Sequence, residues 1–113
     1  DFFGIASGNN TPDKFERSGL TVTKSDKVDA PIVNEFPLTL ECKVVEAKNE
    51  VYGFHVLGEI VGGVVDESVL DEKGIVDVSK LGAFAFDQFG GNYFAIGEKV
   101  GKAWEAGKAL MNK

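Results

Sequence analysis

Between Leu38 and Val65 the sequence shifts to a period of two, and that shift restricts the fold more than any other feature of the chain. Leu38, Leu40, Cys42 and Val44 alternate with Thr39, Glu41 and Lys43. Successive side chains of a strand point to opposite faces, so this spacing predicts a strand with one buried apolar face. Within that row Cys42 is expected to be a buried small hydrophobe. Val51 to Val65 is long, rich in β-branched and aromatic residues, and interrupted by Gly53, Gly58, Gly62 and Gly63. Glycines inside a strand mark bulges or sharp bends. With Asn49-Glu50 as the turn, the two segments predict an antiparallel hairpin.

The flanks are less regular. Residues 1–8 read as the end of a helix that breaks at Gly8. Thr11 suits an N-cap, Pro12 the first helical position and Gly19 the end, which predicts a short helix over about 11–18. Leu20 to Thr23 reads as a strand, and 25–37 as irregular chain punctuated by Pro31, Asn34 and Pro37. Asp66 to Gly74 is acidic and turn-like, Asp77 to Leu81 a single turn, and Phe84 to Phe86 a short strand. Val100, Ala103, Trp104, Gly107, Leu110 and Met111 fall at i, i+3, i+4, i+7 spacing, which predicts an amphipathic helix over 98–112. The order of elements is mainly β, an α+β or β-barrel arrangement rather than alternating βαβ.

The 113 residues suffice for one domain. With 43% hydrophobic and 27% charged residues, the composition is that of a globular chain. The net charge of −6 and the scattered basic residues argue against nucleic acid as a partner. One cysteine allows no internal disulfide and fits a reducing cytoplasm. No apolar run approaches the roughly 20 residues of a membrane-spanning helix. With one Cys and one His there is no zinc spacing, and no metal is expected. Rossmann, P-loop and nucleophile-elbow patterns are absent.

What chemistry the chain could carry lies in three places. Ser7-Gly8-Asn9-Asn10-Thr11 leads into a helix start with Lys14 in its first turn, and amides, hydroxyls and an ammonium suit an anion such as a phosphate. The same residues also make an ordinary capped helix with a solvated lysine. Tyr93 and Phe94, following Gly90-Gly91, offer ring surface to a planar ligand, or simple packing. On a strand they point to opposite faces. Tyr93 then shares its face with small Ala95, which favours Tyr93 as the ligand-facing ring and Phe94 as the packed one. His55 is the only histidine, a residue type suited to proton chemistry; a half-buried strand histidine is the plainer alternative.

The run from Gly90 to Trp104, with its Tyr93-Phe94-Ala95-Ile96-Gly97-Glu98, resembles the C-terminal end of the flavin reductase-like family. These are FMN-binding split-barrel proteins that include flavoredoxins. The start, Phe3-Gly4 and Ser7-Gly8 followed by Asp13-Lys14-Phe15, resembles a segment from the middle of that family. Leu40-Glu41-Cys42, Gly58-Glu59-Ile60, Asp66 to Gly74 and Phe86-Asp87 extend the resemblance over nearly the whole chain. It implies an antiparallel FMN-binding split barrel with flanking helices. Residues 1–113 are then the C-terminal portion of a single domain whose first strands have no counterpart here.

It also implies site residues and partners. Ser7, Gly8 and Lys14 would lie near the FMN phosphate, and Tyr93 and Phe94 near its ring. His55 would be catalytic, near the nicotinamide; the family histidine lies five residues before the Gly-Glu-Ile/Val motif, where this chain has Gly53. Members are cytoplasmic homodimers that pass electrons from NAD(P)H or a protein donor through FMN. Two other readings remain, a flavoredoxin-type carrier without its own reductase activity and a non-catalytic dimerisation module. A chain that starts so abruptly on Phe2-Phe3 also suggests a fragment that pairs with a missing N-terminal segment or a second subunit.

Overall fold

The computed structural model describes residues 1–111. The chain divides into two compact units, Asp1–Ser68 and the residues from Val69 onward. Every sheet among the described residues is a two-stranded antiparallel ribbon.

In the first unit two short helices, α1 (Phe2–Ile5) and α2 (Lys14–Ser18), precede the strands. Helix α2 begins three residues later than the sequence suggests. Thr11 contributes only its carbonyl, to the Lys14 amide, and the Asp13 carboxylate pairs with Arg17 at 2.8 Å instead of capping. Its end is as expected: Gly19 adopts φ 69°, a left-handed conformation that favours glycine. Strand β1 (Val22–Lys24) pairs with β2 (Pro31–Val33) in the stretch expected to be irregular. Pro31 is tolerated because it opens the strand in a two-stranded ribbon.

The largest element is the ribbon of β3 (Leu38–Glu50) and β4 (Gly53–Val65). Its turn is at Val51-Tyr52, two residues beyond Asn49-Glu50. The register runs from Leu38 opposite Val65 to Glu50 opposite Gly53 and is interrupted twice. One extra residue, Val45, bulges from β3, and one, Val61, from β4. The pairing sorts most side chains by polarity; the exceptions are Val64 and Leu57, which lie opposite Thr39 and Glu46 on the polar face, and Asn49, opposite Phe54 on the apolar one. Leu38, Leu40, Cys42, Val44 and Ala47 share a face with Phe54, Val56, Ile60 and Val65. Thr39, Glu41, Lys43, Glu46 and Lys48 share the other with His55 and Glu59. Two glycines of β4 oppose apolar side chains: Gly63 faces Leu40, and Gly58 faces Val44, where an added Cβ would stand 3.2 Å from the Cys42 Cβ.

The apolar face is as the alternation predicts, but it is open. Leu40 is 55% and Ile60 62% exposed, and Cys42 is exposed rather than buried. Burial is found on the polar face, where Glu41 is 5% exposed. The reason is local: the β1–β2 connection packs on the polar side, and no element of this unit covers the other.

A 3-10 turn, Glu67–Val69, leads along the chain into the second unit, which continues with a single bridge between Leu70 and Val76 and a turn over 77–81. Strands β5 (Phe84–Asp87) and β6 (Asn92–Ala95) form a hairpin, with Phe84 opposite Ala95 and Phe86 opposite Tyr93. The helix expected over 98–112 is not formed. Residues 98–102 carry no regular structure, 103–107 form turns, and only Lys108–Leu110 is helical, as a 3-10 turn. Asn112 lies outside the described residues. The stripe of Val100, Trp104, Leu110 and Met111 is exposed. An isolated helix of this length is marginal in water without a surface for its apolar face, and Gly101 and Gly107 lower its propensity further. Trp104 even adopts φ 60°, a conformation a bulky residue takes rarely.

Candidate functional site

The β5–β6 hairpin carries a concave surface lined by aromatic side chains. Asp87 ends β5 and organises the connection to β6. Its carboxylate accepts the amides of Phe89 and Gly90 at 2.9 and 3.0 Å, and its carbonyl accepts the Gly91 amide. A Cβ on Gly90 would stand 2.6 Å from the Asn92 side-chain nitrogen and 2.7 Å from Asp87 Oδ2, so glycine lets both side chains fold over the turn. In the sequence Asp87 stands out only as part of the Phe86-Asp87 resemblance. The signal for it was the Asp followed three residues on by Gly-Gly, a side chain that bonds the backbone ahead of it.

On this frame Phe84, Phe86, Tyr93 and Ala95 share one face, and Ala85 and Phe94 the other. Tyr93 meets Phe84 edge-on, with centroids 5.1 Å apart at 80°, and Phe86 at 5.6 Å and 49°. The two rings of the Tyr93-Phe94 pair therefore do point to opposite faces, with Tyr93 beside Ala95. Phe94 is 57% exposed and is not packed inward. A groove of about 400 Å³ runs along the hairpin, lined by Val78, Ser79, Gly82, Ala83, Phe84, Tyr93, Phe94, Ala95 and Ile96. That lies within the range of small-molecule sites, which are mostly apolar with few polar groups. Its rim is fixed by Asp77, which accepts the Ser79 hydroxyl at 2.6 Å and the Ser79 amide at 2.9 Å. The Ser79 hydroxyl is the main reason the Asp77 carboxyl lies below the usual aspartate range, with the Ser79 amide and Lys80 adding to it.

The first unit places Ser7, Gly8 and Lys14 in one segment. The Ser7 hydroxyl accepts the Asn9 amide at 3.3 Å, and the Ser7 carbonyl accepts those of Asn10 and Thr11. The Lys14 ammonium folds back over α1, donating to the Ala6 and Phe3 carbonyls at 2.8 and 3.2 Å, 5.8 Å from the Phe3 ring centroid. Two of its three donors thus hold the helix end. His55 sits apart, exposed near the tip of the ribbon and opposite Lys48. Lys48 in turn lies within 3.5 Å of Glu46 and 3.4 Å of Glu50.

Sequence reading missed the most buried polar pair. Ser25 and Glu41, each 5% exposed, are joined by a hydrogen bond from the Ser25 hydroxyl to Glu41 Oε1. No local pattern announces a contact between residues sixteen positions apart.

The sheets of the described residues are separate antiparallel ribbons, and comparison with known proteins gives their class. No family model matches the chain. The flavoredoxin of Desulfovibrio vulgaris (Miyazaki F) is 39% identical with a TM-score of 0.80, covering 91% of this chain and 54% of its own. Flavoredoxin from Methanosarcina acetivorans is 27% identical with a TM-score of 0.82, covering 95% and 55%. A Shewanella frigidimarina NCIMB 400 protein assigned as a flavin reductase with a split barrel domain is 30% identical with a TM-score of 0.62, over 82% and 47%. An uncharacterized protein of Aquifex aeolicus (strain VF5) is 35% identical over 88 residues, 75% of this chain and 43% of that protein. The class these likenesses define is the flavin reductase-like split barrel. The chain spans about half the length of the proteins it matches. Among the described residues no helix is long and apolar enough to cross a membrane.

Proposed function

We propose that residues 1–113 are the C-terminal portion of a single FMN-binding domain that passes electrons from NAD(P)H or a protein donor through the flavin, in a cytoplasmic homodimer. The reading rests chiefly on one observation: an aromatic groove of ligand size lies on a chain that matches a flavoredoxin over nine-tenths of its length. When bound, FMN would supply the redox chemistry, and the chain's own residues would bind and orient it.

The two ends of the cofactor fit unequally. The groove at Tyr93 suits a planar ring, with small Ala83 and Ala95 leaving room beside the aromatic walls. At the phosphate end, Ser7, Gly8 and Lys14 share a segment, but Lys14 retains one donor beyond the two that hold α1. In this reading Lys14 touches the phosphate with that third N–H. Among the described residues no hydrogen bond or ion pair orients the His55 imidazole, so a catalytic role for it depends on groups contributed by the rest of the domain.

Addition of FMN to the purified chain should perturb the flavin absorbance bands, and an unchanged spectrum would favour the non-catalytic dimerisation module. Lys14→Ala should weaken FMN more than riboflavin by roughly 1.5–3 kcal/mol, the size of one charge-assisted contact. Equal losses would place Lys14 at α1 alone. A flavoredoxin-type carrier is the second reading, favoured by the two flavoredoxins among the matched structures. Steady-state oxidation of NAD(P)H separates the two, since a carrier shows none.

A further inference from the structure

We infer that Ser25 and Glu41 act as a latch, a positioning pair that fixes the β1–β2 hairpin on the polar face of the long ribbon and whose opening frees that hairpin while the ribbon stays paired. The inference is independent of the flavin reading. Both residues belong to the first unit, and they are two of the three buried residues among those described. The Ser25 hydroxyl does two jobs. It donates to Glu41 Oε1 on β3, and it accepts the amides of Lys27 and Val28, both at 3.0 Å, so the same atom shapes the loop and ties it down. The Ser25 amide closes the loop by donating to the Ala30 carbonyl.

Across the ribbon the fit depends on glycine. A Cβ on Gly62 would stand 2.5 Å from Lys27 Cδ and 2.6 Å from Glu41 Oε2, so the Lys27 and Glu41 side chains lie over Gly62 and would have to move for any side chain there. Elsewhere on the ribbon the side chains are largely exposed, and its strands satisfy each other's backbone. The ribbon therefore does not need the hairpin in order to stay paired, whereas the hairpin's other side-chain ties, Thr21 to Glu35 and Thr23 to Asn34, are exposed and internal to it, and Ser25–Glu41 is its buried tie to β3. A bond to a buried carboxylate costs more to lose than an exposed one, because the remaining partner stays desolvated.

Amide hydrogen exchange on the full chain tests this. The reporters are the Ser25 and Asn34 amides, which donate to the Ala30 and Thr21 carbonyls. Ser25→Ala and Glu41→Ala are each expected to speed exchange of both reporters about tenfold, leaving amides between Ala47 and Val56 within about twofold. The double variant should exceed the larger single effect by no more than about twofold, since the two residues make one contact. Equal acceleration throughout the first unit, no acceleration of the reporters, or effects that multiply in the double variant would each overturn the latch. If the alanine variants do not fold, Glu41→Gln keeps the volume and the acceptor oxygen. It should speed the same two amides by a smaller factor, and unchanged exchange in that variant would equally overturn the proposal.

Discussion

The β3–β4 ribbon and the segment 98–111 carry comparably clear apolar patterns, yet one forms its element and the other does not. Both apolar faces are open: Leu40 and Ile60 on the ribbon are 55% and 62% exposed, and Leu110 in the tail is 71%. The difference lies in what each needs. The ribbon joins two thirteen-residue strands by a tight turn, with β-branched residues that favour extended backbone. The tail has a costly helical nucleus to form, two glycines within it, and a stripe with nothing to pack against. Periodicity reports which face an element would bury. It does not report whether the element persists before that face is covered.

The comparison can be broken at the ribbon first. Gly62→Ala, which drives a methyl into Lys27 and Glu41, should cost roughly 1–3 kcal/mol in denaturant unfolding, as overpacking does. A neutral result would mean that the loop yields freely and that the ribbon carries no tight packing. The tail sharpens it next. Gly101→Ala with Gly107→Ala should favour helix by about 1 kcal/mol per site, visible as a gain in far-ultraviolet helical signal. If the signal stays flat, the missing surface outweighs propensity. The β5–β6 hairpin is the intermediate case, short but zipped by rings. Tyr93→Ala removes the edge-on contact with Phe84, and about 0.5–1.5 kcal/mol beyond area burial should be lost. A flavin spectrum that changes with it would tie the ring to the ligand as well.

The smallest effect concerns acid. The Asp77 carboxyl is held below its ordinary value of 3.8 mainly by the Ser79 hydroxyl. A lowered folded value means that the carboxylate stabilises the 77–81 turn above the unfolded value and that this support fades as pH falls through the folded one. Exchange of the Ser79 amide should quicken relative to the ribbon below about pH 4, the ordinary aspartate range. Asp77→Asn should remove most of that pH dependence.

Much of the fold could be read from the residues because strand alternation and glycine placement are local. Leu38 to Val44 and the interrupted run to Val65 give the ribbon and its two faces. The turn was misplaced because Val51 and Tyr52 look like strand residues, and their exposure at the tip follows from the pairing alone. Strand β2 was hidden behind Pro31 and the surrounding polar residues. Glu41 was read only as the polar partner of an alternating row. Its burial depends on Ser25 and Lys27 arriving from a separate loop, which one segment of sequence does not encode. At the candidate site, the opposite orientations of Tyr93 and Phe94 followed from strand geometry, whereas the Phe84 and Phe86 contacts required the hairpin register. The return of Lys14 to the α1 carbonyls required two helices at once.

The two extra residues of the ribbon, Val45 and Val61, lie on different strands, and the pairs flanking each already oppose one another. Removing either valine would straighten the ribbon locally without sliding one strand along the other. Chain length at those two points is therefore a control on curvature alone. Related sequences can gain or lose a residue there and still bring the same side chains face to face.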